Sequence, residues 1–336
     1  MLRLVQLSHP TEGQRVAVVE EPDLRLLSHY ATVYDLAQAA LDTGRTLAEV
    51  VASQRSLQTL EYNAVYDLRS PWQLLPPFDH PAEPGRCLVS GTGLTHKASA
   101  ENRQSMHAAA SEAAEPVTDS MKMYRIGLEG GRPAAGQVGA APEWFYKGCG
   151  TIVRAHGHPL DVPNFADDGG DEAEIAGAYL IGPDGTPHRV GLVQGNEFSD
   201  HVMESKNYLY LAPSKLRTCA LGPELVVGAE FADVPGRIRI ERGGAVVWEA
   251  ALASGERAMS HSLANLEHHH FKYSAHRRPG DVHVHFFGAD HFSFRDRVRL
   301  ADRDVMEVAF ETFGRPLRNP VRIDRSRPAA VAVKAL

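Results

Sequence analysis

The run Asp167-Asp168-Gly169-Gly170-Asp171-Glu172-Ala173-Glu174 leads without a break into the apolar stretch Ile175 to Ile181. No other junction in the chain constrains the fold as tightly. An apolar run of this length, bounded by Gly and Pro, reads as a buried strand. Alternate residues of a strand share a face, so Glu172 and Glu174 point the same way. Parallel carboxylates repel each other, and either water on a solvated face or a divalent cation relieves the repulsion. Ligation by oxygen alone suits Mg²⁺, Mn²⁺ or Ca²⁺. A second apolar run, Val190 to Gln194, ends in Gly195-Asn196-Glu197. A hairpin through Pro183, Asp184 and Gly185 brings Glu197 beside the first two as a third carboxylate.

The rest of the chain reads in two parts. Leu2–Leu7 and Arg15–Glu20 form a hairpin around Thr11 to Gly13, because short β-branched runs flank turn residues. From Thr32 to Gln54 apolar residues recur at helical spacing, interrupted by Asp42-Thr43-Gly44, which predicts two short amphipathic helices. A proline-rich connection over 68–86 excludes regular structure, so the boundary of a small N-terminal domain, 1–82, is placed near Ala82 and the main body spans 83–336. Cys87–Gly93 reads as a strand and Lys97–Ala114 as a helix. Beyond residue 120 β-type runs dominate, with a hairpin at Glu241-Arg242-Gly243-Gly244, where paired glycines accept the positive φ of a tight turn. The residues alone therefore give a β-rich α+β chain in two parts.

Composition narrows the function. Thirty-five Lys and Arg stand against 42 Asp and Glu, a net charge of −7 with no basic cluster, which argues against nucleic acid as partner. Cys87, Cys149 and Cys219 are odd in number and widely spread, as expected of free thiols in a reducing compartment. The opening residues carry charges and lack a signal peptide or membrane span, so the expected address is the cytoplasm.

Taken in order, several segments resemble the catalytic domain of the fumarylacetoacetate hydrolase family. They are Phe145-Tyr146-Lys147, Glu172-Ala173-Glu174, Asn196-Glu197, Lys215 ahead of Leu221-Gly222-Pro223, Gly280-Asp281-Val282, and Asn319-Pro320-Val321, covering about residues 74 to 322. The resemblance implies a mixed β-roll or sandwich-like catalytic domain behind a small α+β domain, assembled as a homodimer. It also implies Mg²⁺ or Mn²⁺ held by Glu172, Glu174 and Glu197, with Lys215 beside the developing charge and Lys206 as the alternative amine. Lys147, Gly288 and Ala289 are the implied substrate contacts. Tyr124 and Arg125 are added as carboxylate binders, Arg125 because a guanidinium offers a bidentate fork.

The chain departs from the family at two places. Glu197 stands where an Asp is usual, followed by Phe198-Ser199-Asp200-His201. The family's paired His and Glu on a lid segment appear as His96 and Glu101 at a different spacing; an imidazole that titrates near neutrality keeps His96 an acid–base candidate, with Glu101 as its partner. The pattern leans toward the branch that dehydrates 2-keto-3-deoxy sugar acids through a metal-stabilised enolate, here a pentonate-like acid. The alternatives are a C–C hydrolase of 2,4-dioxo acids and a non-catalytic relative that binds a sugar acid.

Other motifs carry less. His283, His285 and Asp290 match no zinc spacing. Gly91-Thr92-Gly93 lacks the third glycine of a dinucleotide fingerprint and reads as a backbone turn. Cys149 has no nucleophile elbow around it and reads as a packed thiol.

Overall fold

The structure, a computed structural model, describes residues 1–108 and 118–336. The N-terminal part comprises β1 (Leu2–His9), β2 (Gly13–Glu20), β3 (Asp23–Leu27), α1 (Val33–Thr43), α2 (Leu47–Ala52), β4 (Arg55–Glu61), α3 (Tyr62–Tyr66) and β5 (Gln73–Leu74). There follow β6 (Cys87–Gly93), α4 (Lys97–Ala108), α5 (Asp119–Gly130), β7 (Glu143–Cys149), β8 (Val153–Arg154), β9 (Leu160–Val162), β10 (Ala173–Ile181), β11 (Pro187–Asn196), α6 (His201–Lys206) and α7 (Leu211–Ser214). The chain closes with β12 (Cys219–Leu221), β13 (Leu225–Val227), β14 (Val234–Arg242), β15 (Ala245–Ser254), α8 (Leu263–Phe271), β16 (Val282–Phe286), β17 (Val305–Phe310) and β18 (Leu317–Ile323).

Local sequence explains several boundaries. Thr32 accepts from the Asp35 N–H at the start of α1, and Gly44, at φ 63°, ends it. Thr46 and Glu49 close a reciprocal capping box on α2. Gly243 and Gly244, at φ 59° and 84°, turn β14 into β15. The helix expected over Lys97–Ala114 is present as α4 to Ala108, and its remainder lies outside the described residues. Gly150–Ile152 form a 3₁₀ turn that leads into the two residues of β8.

Thirteen strands form one sheet, in the order β4-β3-β2-β1-β13-β11-β10-β16-β6-β7 with β5, β8 and β12 off this path, and a five-stranded sheet runs β15-β14-β17-β18-β9. Every residue of β10 is buried, because both faces of this central strand are covered. On one side Ala176, Ala178 and Leu180 join Val33, Leu36 and Val50 of the helices; on the other Ile175 joins Ile238, Val308 and Leu317 of the smaller sheet.

The first 82 residues are less independent than the proline-rich connection suggested. β1 pairs with β13 through Leu2↔Val227 and Leu4↔Leu225, so the N-terminal strands extend the main sheet. One face keeps a core of its own, with Val5, Leu24, Tyr62 and Trp72, while Leu4, Val16 and Val18 on the other belong to the shared core. The alternation of a strand divides the two faces in this way.

Candidate metal centre

Glu172 immediately precedes β10, Glu174 lies within it, and Glu197 follows β11. Antiparallel pairing sets Ala173 opposite Asn196 and Glu174 opposite Gly195. The Glu197 N–H donates to the Glu172 carbonyl at 2.8 Å, and the Glu172 N–H donates to Asn196 Oδ1 at 3.0 Å. This register brings one carboxylate oxygen of each Glu within 4.8 Å of the other two, all three side chains buried. Among the described residues it is the one group of three or more His, Cys, Asp or Glu side chains that converges in this way.

The other carboxylates of the acidic run are spent elsewhere. Asp171 accepts from the Ser293 N–H and hydroxyl, Asp168 accepts from the Val202 N–H, and exposed Asp167 pairs with Lys206 at 2.7 Å.

Two buried ammonium groups answer the three carboxylates. Lys215 Nζ lies 2.6 Å from Glu172 Oε1 and 2.8 Å from Glu197 Oε2. Lys147 Nζ lies 2.5 Å from Glu197 Oε1 and donates to the carbonyls of Phe198 and Lys215 at 2.7 and 2.9 Å. An ammonium has three protons, so those of Lys147 are committed within the protein. Expected to contact substrate, it instead fixes Glu197 and the backbone before Leu216. Lys206, the alternative amine, is exposed on its pair with Asp167 and stands apart from the cluster.

The two lysines pair with Glu172 and Glu197, and His201 also lies on Glu172, which raises the imidazole pKa against the pull of burial; the carboxylate left without a basic partner is Glu174. Burial, then Glu197 and Glu172, pushes its carboxyl well above the usual range. Burial pushes Glu197 up to about 7, against the pull of Lys147 and Lys215. Burial works the same way on Glu172, yet Lys215 and His201 hold it well below the usual range. Burial alone would lower Lys215, but Glu172 and Glu197 hold its ammonium well above the ordinary value. A hard divalent cation among these oxygens would supply the missing positive charge, so the donor set fits one.

His201, first residue of α6, was not anticipated. Its Nε2 lies 2.9 Å from Glu172 Oε1 and its ring stacks on Phe292 with centroids 4.7 Å apart. Asp200 caps α6 by accepting from the Met203 N–H and is held by Arg217 at 2.8 Å. Arg103 of α4 was also missed. It reaches Glu204 of α6 at 2.6 Å and Glu143 of β7 at 2.8 Å. A space of about 20 Å³ at the carboxylates is lined by Glu172, Glu174, His201, Arg103, Glu204 and Ala289, among others. A larger cavity, of about 430 Å³, shares Leu94, Arg103 and Glu204 with it. The sequence offered a signal for Glu204, three residues beyond His201 on one helix face; Arg103 offered none.

Of the other expected site residues, Gly288 donates its N–H to Glu174 Oε2 at 2.7 Å, and Ala289 lines the smaller space. Tyr124 is buried against Leu94 and Ala100, while Arg125 is exposed on α5; neither lines either cavity. His96 is buried behind the wall. The Thr95 hydroxyl donates to the Phe287 carbonyl, so its oxygen accepts from His96 Nδ1–H at 2.9 Å. Burial lowers the His96 pKa to about 4, so the ring is neutral near pH 7 and Nε2 is a bare lone pair, without a partner among the described residues. Glu101, half-buried, faces Lys97 at 3.5 Å. Neither residue of this expected pair lines the cavities.

His283 and His285 do share a face of β16, packed with His270 and His276, while Asp290 accepts from the Ala253 N–H at 3.0 Å. Gly91 to Gly93 are the end of β6 rather than a turn, and Gly93 lines the smaller space.

No family model matches the sequence, and no curated protein matches it. Among solved structures the chain is similar to 2-keto-3-deoxy-D-arabinonate dehydratase, at TM-score 0.70 and 17% identity over 96% of this chain and 100% of that one, in an apo form and in a complex with magnesium and 2,5-dioxopentanoate. It is also similar to 2-hydroxyhepta-2,4-diene-1,7-dioate isomerase from Mycobacterium marinum, at TM-score 0.58 and 15% identity over 97% and 100%. Another match is 5-carboxymethyl-2-hydroxymuconate delta-isomerase from Mycobacterium smegmatis, at TM-score 0.57 and 15% identity over 96% and 100%. The fold is thus the strand-rich α+β, fumarylacetoacetate hydrolase type expected from the sequence.

Proposed function

We propose that the chain is an enzyme of the fumarylacetoacetate hydrolase family, a Mg²⁺-dependent dehydratase of a 2-keto-3-deoxy sugar acid of pentonate type. The observation that carries this reading is the convergence of Glu172, Glu174 and Glu197, from the ends of two paired strands, within 4.8 Å of one another in a buried space. The three would hold Mg²⁺, or Mn²⁺ in its place. The ion supplies Lewis-acid polarisation of a 2-oxo group, which acidifies the adjacent C3–H.

The chain's own residues set the rest. Lys215 carries a proton at Nζ between Glu172 and Glu197 and places positive charge where negative charge develops. His201 and Lys215 orient Glu172, and Lys147 orients Glu197, so both carboxylates are fixed before any ligand arrives. His96, just ahead of α4, and Glu101 on that helix line neither cavity, so proton handling at the carboxylates falls to Lys215 in this reading. Phe292 and Leu94 give the space an apolar lining, and its small volume leaves little room for the water that a dehydratase must keep from attacking.

A dehydratase holding magnesium and 2,5-dioxopentanoate, with the same fold across nearly the whole chain, supports this choice over C–C hydrolysis. Homodimeric assembly and a cytoplasmic location come with the family reading; among the described residues no helix is long and apolar enough to cross a membrane. The test is incubation with Mg²⁺ and a panel of 2-keto-3-deoxy and 2,4-dioxo acids, followed by assay of the product. A semialdehyde is expected. Pyruvate would establish the hydrolase, and turnover of none of the acids would leave a binding protein.

A further inference from the structure

The space at the carboxylates has room for about one water. Most of any organic acid anchored there must therefore lie beyond the wall formed by Leu94, Arg103 and Glu204, in the cavity of about 430 Å³. Apolar and aromatic side chains supply much of that cavity: Leu94, Met123, Ile126, Tyr208 and Leu211.

Its cations are already paired within the protein. Arg103 spends its guanidinium on Glu143 and Glu204. Lys122 lies 2.9 Å from Asp119. Two cations against three carboxylates leave the lining with one net negative charge. A second carboxylate at the far end of a substrate would meet no uncommitted cation among these lining residues, and would lose its hydration against hydrocarbon. An uncharged far end meets neither cost, and unmatched charge is the usual way a site rejects a close analogue.

We infer that this site takes 2-oxo monoacids whose far end is uncharged, and that it rejects 2-oxo diacids. The inference rests on the proposed function and narrows its substrate class.

The test compares kcat/KM, with Mg²⁺ and the full chain, for acids that share one 2-keto-3-deoxy head and end in an alkyl group, a hydroxymethyl group or a carboxylate. The carboxylate acid is expected to be at least tenfold poorer than either neutral one. Met123→Arg, which adds a cation to the wall, is expected to shrink the gap between the alkyl acid and the diacid at least tenfold by improving the diacid. A diacid turned over within tenfold of the neutral acids by the wild type, or left unimproved by M123R, would overturn this inference while the dehydratase reading stood. Turnover of none of the acids would remove both.

Discussion

The backbone N–H of Gly288 lies 2.7 Å from Glu174 Oε2. That hydrogen bond faces the one carboxylate of the cluster to which neither lysine is paired. Glu174 is thus held in place by a neutral donor, with neither lysine to stabilise its charged form.

Glu174→Gln removes the carboxylate and keeps the shape. Without metal the variant is expected to be as stable as the wild type, because the raised Glu174 pKa already favours its neutral form. The rise in unfolding free energy that Mg²⁺ gives the wild type is expected to disappear. Urea unfolding with and without Mg²⁺ measures both, and a retained metal response in E174Q would remove Glu174 from the ligand set.

Mg²⁺ affinity is expected to rise with pH between about 6 and 8. Burial raises the Glu174 and Glu197 carboxyls, Glu197 to about 7, so at lower pH protons compete with the cation. Calorimetric titration in buffers of different ionisation enthalpy is expected to show proton release at pH 6.5. Affinity independent of pH across this range would count against carboxylate ligation here.

Lys215→Met leaves Glu172 and Glu197 with one cation fewer in a buried site. The expected cost without metal is about 3–5 kcal/mol, the usual penalty for breaking a buried pair, and saturating Mg²⁺ is expected to restore part of it. If Mg²⁺ restores nothing, the lysine and the ion do not share the same carboxylates.

Gly288 has φ 104°, and a Cβ there would lie 2.0 Å from Thr95 Oγ1. Gly288→Ala therefore meets both backbone strain and a clash, and is expected to weaken Mg²⁺ binding by displacing the donor to Glu174. Adding Thr95→Ala removes the contact with Oγ1 but neither the strain nor the contact with the Thr92 carbonyl at 2.9 Å, so at most partial recovery is the expected result on the same calorimetric readout.

The histidine stack behind β16 makes the protein acid-sensitive. Trp144 Nε1–H donates to His270 Nδ1 at 3.1 Å, so the neutral His270 carries its proton on Nε2 and donates it to His283 Nδ1 at 3.0 Å. Burial lowers His283 and His285 to about 3 and His156 and His261 to about 4. The unfolded chain binds protons at these rings from about pH 6.5 downward and the folded chain does not. Stability is therefore full above pH 6.5 and is lost as pH falls toward 4. Urea unfolding at pH 7.5, 6 and 5 should show this decline, with His283→Phe flattening it.

Local chemistry made much of this protein legible. The Asp42-Thr43-Gly44 break between the two helices, the Gly243-Gly244 turn, and the apolar run after Glu174 each act within a few residues, so their consequences follow from the sequence alone. The common direction of Glu172 and Glu174 follows from strand geometry in the same way, and Glu197 came within reach by a short hairpin. Tertiary structure decided what lies across long separations. It joined β1 to β13, so that residues before Ala82 extend the main sheet. It turned Lys147 inward onto Glu197, brought His201 to Glu172, and drew Arg103 between Glu143 and Glu204. Periodicity and spacing say which way a side chain faces on its own element; which charge it meets there depends on how distant elements pack.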